Sequence, residues 1–244
     1  MKKNYDPVSH SLTVDYLGTS VIGIKYDKGI IIAADTRLNR GGSHLVMNNN
    51  EDRLQQLTNR TIIGYSGEFS DLQETTRILK ELILQDELDS NNNGFLGPNE
   101  LSNYLSSIHY NQRNKMDPYL NSAISGGIDF NGDIVLTNID SFGTFLTGDY
   151  FCTSMGSYFC YAILRKMYPD DPKKINREQA IEILKKCFEV LFYRDLSAGD
   201  VIKFIALEKQ DAQGTQLVYF DSKFKIEGKW DYAVFNKCNE DYYV

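Results

Sequence analysis

Basic residues do not cluster in this chain. Lys and Arg number 26 against 33 Asp and Glu, a net charge of −7, and no basic run exceeds Lys2-Lys3 or Lys185-Lys186. Such a surface has nothing to neutralise a row of phosphates, which argues against nucleic acid and an anionic membrane as partners. Long apolar runs are also missing, and the longest falls far short of a bilayer span. The opening stretch MKKNYDPVSHSLTVDYLG is broken by polar residues before a signal-peptide core could form, so no secretory leader is expected. Histidine is scarce: His10, His44 and His109 share no ligand spacing, so no zinc site is expected. No Gly-rich phosphate loop is present, and no cofactor is expected. Cys152, Cys160, Cys187 and Cys238 have neither C-x-x-C spacing nor disulfide density, which suits a reduced, intracellular chain. Cys160 and Cys187 lie beside aromatics on helix faces and read as core. Asn59-Arg60-Thr61 matches a glycosylation acceptor, but a cytosolic chain does not meet the enzyme.

What is present is a chain of 244 residues, 42% hydrophobic and 12% aromatic, enough to bury a sizeable core. It opens as strands. Ser20–Tyr26 alternates, and Gly29–Asp35 is apolar on both faces, so it predicts a buried central strand. Thr61–Gly67 is a further strand, and residues 37–50 read as loop with a short strand at His44–Met47. The period then changes. A helix is predicted from Phe69, with Ser70 and Asp71 as start signal, and another over Glu100–Asn114. Strands return at Asn121–Asp129, Asp133–Asn138 and Thr144–Thr147, with turns at Asn131-Gly132 and Phe142-Gly143. Helices follow over Ser157–Tyr168 and Arg177–Tyr193, then strands over Val201–Glu208 and Gln216–Phe220. This order suits an α+β layered fold of two antiparallel sheets covered by helix pairs. No linker or repeat divides it, so one domain is expected.

Four motifs stand in register along this frame. They are Gly18-Thr19-Ser20-Val21 with Gly29-Ile-Ile-Ile-Ala-Ala-Asp35-Thr36-Arg37, then Ser66-Gly67, Ser125-Gly126-Gly127, and Tyr193-Arg194-Asp195-Leu196-Ser197-Ala198-Gly199. Together they resemble the proteasome β-type subunits over about Thr19–Phe220. The resemblance implies a four-layer αββα sandwich of the N-terminal nucleophile hydrolase type, with two five-stranded sheets between helix pairs. It implies residues 1–18 as an N-terminal extension or propeptide, 19–224 as the β-type domain and 225–244 as a C-terminal extension. Active members cut themselves before a threonine, whose hydroxyl is the nucleophile and whose freed α-amine is the base. On that pattern Thr19 takes the nucleophile position, Asp35 and Asp195 those of supporting aspartates, and Gly67 that of the oxyanion-hole glycine.

Three supporting positions depart from the pattern. The catalytic lysine falls at Glu51 by gapless counting, or at Arg53 if the preceding loop is two residues longer. An arginine is bulkier than lysine and stays protonated, so it does not substitute freely. Met155 and Ala198 stand where serines are expected. Such groups act as a unit, so Thr19, Asp35, Gly67 and Asp195 are expected to be vestigial. The rival is an active threonine endopeptidase with Thr19 as nucleophile. The start Gly-Thr-Ser-Val, the stretch Asn111–Pro118, the end Leu191–Asp195 and the aromatic tail further resemble a non-catalytic member of the family. The resemblance implies assembly with other α and β subunits in a stack of four seven-membered rings, in cytoplasm and nucleus. It also implies contact with the opposite β ring through the tail, with Trp230, Tyr232 and Phe235 as interface residues.

One competing motif remains. Asp89–Glu100 satisfies the EF-hand spacing through Asp89, Asn91, Asn93, Gly94 and Glu100. Only two of its ligands carry charge, Pro98 stiffens it and no second hand pairs with it. A polar connection between two helices is the preferred reading.

Overall fold

The computed structural model describes residues 14–90, 96–169, 171–210 and 217–229. Seven strands come first: β1 (Tyr16–Gly18), β2 (Val21–Tyr26), β3 (Gly29–Asp35), β4 (Leu38–Arg40), β5 (Val46–Asn48), β6 (Leu54–Gln56) and β7 (Thr61–Glu68). A helix pair follows, α1 (Phe69–Asp89) and α2 (Pro98–Asn114), then β8 (Asn121–Ile128), β9 (Ile134–Ile139), β10 (Phe145–Thr147) and β11 (Tyr150–Cys152). The second pair is α3 (Gly156–Met167) and α4 (Arg177–Arg194), succeeded by β12 (Val201–Lys209) and β13 (Leu217–Lys225). One antiparallel sheet has eight strands, ordered β10-β9-β8-β7-β1-β4-β5 with β6 also paired to β7; the other has five, ordered β11-β2-β3-β12-β13. The five strands expected of each sheet are therefore corrected for the first, which gains short strands at β1, β4 and β6. The expected boundary between residues 18 and 19 falls inside the fold, since β1 is an interior strand of the larger sheet.

The strand period of two explains why β3 is apolar on both faces. Ile30, Ile32 and Ala34 pack toward the other sheet with Val21, Leu54, Ile62, Ile124, Leu136 and Ile205. Ile31 and Ala33 pack the other way, onto Leu164, Leu184, Phe188 and Leu191 of α3 and α4. The larger sheet divides alike, with Ile63, Tyr65 and Ala123 turned toward Leu72, Leu79, Leu101 and Leu105 of α1 and α2. Burying one such aliphatic side chain is worth about 1.5–3 kcal/mol, so this layered core holds the four-layer order together. Cys152, Cys160 and Cys187 are buried in the α3–α4 layer, as core residues.

Helix starts move by a few residues where caps override periodicity. Glu68 caps α1, its carboxylate accepting from Ser70 N–H, so Ser70 and Asp71 lie in the first turn rather than before it. Asp71 instead accepts the Leu120 N–H at 2.7 Å. At α2 the proline occupies the first turn and the Glu100 carboxylate accepts the Gly97 N–H at 3.0 Å, the half of a capping box that a glycine N-cap allows. Strand β13 runs to Lys225 rather than Phe220, because it pairs along its whole length with β12.

His109, fully buried on α2, sets one pH dependence. Its Nδ1–H donates to the Asp140 carbonyl at 2.8 Å, and Nε2 has no partner among the described residues. Burial pushes its pKa below the ordinary value, opposed by the Asp140 carbonyl and charge. The native state thus favours the neutral ring, while the unfolded chain takes up a proton near pH 6.5. Stability should fall as pH drops below about 6.5, at no more than about 1.4 kcal/mol per unit from this group. His109→Gln should remove that component, read as a smaller difference in urea midpoint between pH 5.5 and 7.5 than in wild type. An unchanged difference would exclude His109 as its source.

Candidate functional site

Thr19 lies at the junction of β1 and β2, 3% exposed. Its Oγ1 donates to Asp35 Oδ1 at 2.5 Å, from the end of β3. Arg53, buried just before β6, lies against both. Arg53 Nη1 donates to the Thr19 carbonyl at 2.7 Å and to the Tyr65 carbonyl at 2.9 Å. Nη2 donates to the Asp35 carbonyl at 3.0 Å, forms an ion pair with Asp35 Oδ1, and lies 3.5 Å from Thr19 Oγ1. One guanidinium thereby joins the β1–β2 junction, the end of β3 and the middle of β7. Burial pulls the Arg53 pKa down from its ordinary value, and the charge and hydrogen bond of Asp35 pull it up.

This geometry decides between the two registers. Arg53, not Glu51, stands against Thr19 and Asp35. Glu51 donates its N–H to the Thr36 carbonyl and accepts from Asn48 Nδ2 at 2.6 Å. Its neighbour Asp52 instead binds Lys203 Nζ at 2.5 Å, and Asp221 holds the same ammonium at 3.0 Å.

Asp195 caps α4 and reaches the cluster only through its turn. Its Oδ1 accepts Ser197 N–H at 2.9 Å, and two residues further on Gly199 N–H donates to Asp35 Oδ2 at 2.6 Å. Burial raises the Asp195 pKa, with the Ser197 N–H opposing and the Asp35 charge adding to it. Ala198 is buried in the layer beneath α3 and α4, and Met155 is half-exposed at the start of α3. Next to Met155, Gly156 N–H donates to Ser20 Oγ at 2.8 Å.

Gly67 stands opposite Gly18, where β7 meets β1. Its φ of +103° lies in the region open to glycine, and a Cβ there would fall 2.3 Å from the Leu120 carbonyl oxygen. Glu68, Tyr65, Ser20 and Gly199 were not among the residues expected at the site. Glu68 directly follows Gly67, yet a glutamate ahead of a helix reads as ordinary first-turn charge.

Thr19, Asp35 and Arg53 form one hydrogen-bonded group, in which the buried Arg53 Nε has no partner among the described residues. The hydroxyl proton of Thr19 points at Asp35, whose carboxylate also serves Arg53 and Gly199. Of the EF-hand residues, Asp89 ends α1 and Glu100 is engaged in the α2 cap. Asn91 and Asn93 lie outside the described residues, as do the tail positions Trp230, Tyr232 and Phe235.

Two antiparallel sheets between helix pairs, with a threonine opening a strand beside a buried aspartate, define a sandwich of the N-terminal nucleophile hydrolase type. The Proteasome family, described as proteasome subunit, matches residues 16–207, and the chain belongs to it. It is 32% identical to proteasome subunit beta type-4 of Arabidopsis thaliana, over 90% of this chain and 84% of that protein. To proteasome subunit beta type-4 of Dictyostelium discoideum it is 35% identical, over 83% and 73%. To proteasome subunit beta type-7 of Saccharomyces cerevisiae it is 32% identical, over 88% and 81%.

Proposed function

We propose that this chain is a non-catalytic β-type subunit of the proteasome core, in the position of the beta type-4 and type-7 relatives. It contributes to a β ring and to ring assembly, in cytoplasm and nucleus, while peptide bonds are cut by neighbouring subunits. The reading rests on one observation above the others: Arg53 occupies the space beside Thr19 and is paired with Asp35. A guanidinium stays protonated across the physiological range and cannot relay a proton. The Thr19 hydroxyl donates to Asp35, a carboxylate that Arg53 already holds. Partners are the other α and β subunits of a stack of four seven-membered rings. Contact with the opposite β ring through residues 225–244 belongs to the same reading.

Thr19→Ala separates silence from activity. In assembled particles carrying this variant, hydrolysis of every class of peptide substrate should proceed at the wild-type rate. Loss of one activity, with particle assembly intact, would restore the active threonine endopeptidase.

A further inference from the structure

Three of the chain's four cysteines meet in the core beneath the second helix pair. Cys152 ends β11, Cys160 stands in the second turn of α3, and Cys187 lies on α4, each at most 2% exposed. Helices α3 and α4 pack on one another, and the Cys160 thiol reaches across that seam, donating to the Cys187 carbonyl at 3.8 Å. The thiols of Cys152 and Cys187 both lie within hydrogen-bonding reach of the Cys160 sulfur, which is the shared neighbour of the cluster. Bonds from Cys152 and Cys187 pull the Cys160 pKa below the ordinary thiol value, with burial opposing them. The same contacts and burial push the other two up, so those thiols stay protonated. The thiolate is the nucleophile in sulfur chemistry, which makes Cys160 the attacking sulfur of the three.

The helix seam also favours one partner. Facing residues of two helices whose axes lie about 8–10 Å apart bring their Cα atoms within the range of about 4.4–6.8 Å that a disulfide spans. Cys152, by contrast, is fixed in the sheet by its pairing with Ile22 of β2, and its N–H donates to the Tyr161 hydroxyl at 3.4 Å. Access to the sulfurs comes through α3. It has 12 residues, fewer than α1, α2 or α4, and its N-cap Met155 supplies no side-chain acceptor, unlike Glu68 of α1 and Asn176 of α4. A short helix with an unaided start opens locally at lower cost than the rest of a core. We propose that Cys160 and Cys187 form a reversible disulfide under hydrogen peroxide, a redox staple that joins α3 to α4. The Cys160 sulfur attacks one peroxide oxygen, the O–O bond breaks, and the departing hydroxide leaves as water with the thiol proton. The Cys187 sulfur then displaces hydroxide from the Cys160 sulfenic acid, and its own proton completes a second water. Two thiols are oxidised, one peroxide is reduced, and Cys152 remains a thiol. The bond closes the loop from residue 160 to residue 187 and so constrains the unfolded chain. In a reducing compartment such a bond is transient and reports the oxidant. The inference goes beyond the non-catalytic reading and is independent of the Thr19 group.

The test uses the full chain, folded at neutral pH, with dilute hydrogen peroxide as probe. Intact mass should show the loss of two hydrogens, and thiols alkylated after denaturation should fall from four to two. Peptide mapping without reductant should recover Cys160 joined to Cys187. The urea midpoint should rise on oxidation and return with dithiothreitol. Cys187→Ser should gain no link to Cys160, and peroxide should leave its midpoint unchanged. Should that variant not fold, the wild-type map decides alone. A link through Cys152 or Cys238, sulfinic or sulfonic acid in place of a link, or four thiols left intact would each overturn the proposal. The same treatment in urea separates packing from chance. Cys160 and Cys187 should there lose their preference for each other, and an equal yield of that pair from the unfolded chain would remove the fold as its cause.

Discussion

Asp35→Ala is expected to cost the chain about 3–5 kcal/mol of folding stability, the range for removing one partner of a buried ion pair. The loss is large because of what remains. Arg53 would keep its bonds to the Thr19, Tyr65 and Asp35 carbonyls, but its charge would have no counter-ion in a fully buried site. The Gly199 N–H and the Thr19 hydroxyl would lose their acceptor at the same time. Against a total of about 5–15 kcal/mol for a typical domain, this approaches unfolding. Urea denaturation of the full chain measures it. Replacing both members, as Asp35→Leu with Arg53→Met, should cost less than the sum of the two single changes, since neither charge is then stranded. A neutral Asp35→Ala would mean that the pair contributes nothing. It would also remove the structural account of Thr19 and Asp35 as ligands of Arg53.

The sequence was legible where a pattern had a single physical cause. Gly29–Asp35 lacks polar residues until Asp35, and only a strand covered on both faces tolerates that. The helix pairs were legible for the same reason, since each carries one apolar face toward a sheet. Short strands were not. Leu38-Asn-Arg40 and Leu54-Gln-Gln56 have no alternation long enough to detect, and exist because β1 and β7 offer them edges. The sequence shows only the first half of β13, because Asp221, Ser222 and Lys223 are exposed on an edge strand, where polarity carries no information about pairing. The choice between Glu51 and Arg53 could not be made from spacing, because a loop of either length connects the same strands. Burial settles it: Arg53 is 1% exposed and has acceptors on three segments of chain, an arrangement invisible in a linear sequence.

Gly18 offers the sharpest test of that packing. In the family resemblance a glycine precedes the threonine because the bond between them is cut in active members. Here a steric reason is sufficient by itself. A Cβ built on Gly18 would lie 2.5 Å from Arg53 Cδ, 3.1 Å from Nε and 3.2 Å from Nη1. The far end of a flexible arginine would swing aside, but this guanidinium is fixed by its carbonyl acceptors and Asp35, so moving it breaks several buried bonds together. Gly18→Ala should therefore cost about 1–3 kcal/mol, the usual range for overpacking a core, and Gly18→Val more. In an Arg53→Ala background the obstructing Cδ is gone, and the same Gly18→Ala step should cost little. The two changes are thus coupled, and a double-mutant cycle on urea midpoints reads the coupling directly. If Gly18→Ala costs the same with either residue at position 53, the constraint on Gly18 lies in the backbone of β1 and not in the arginine.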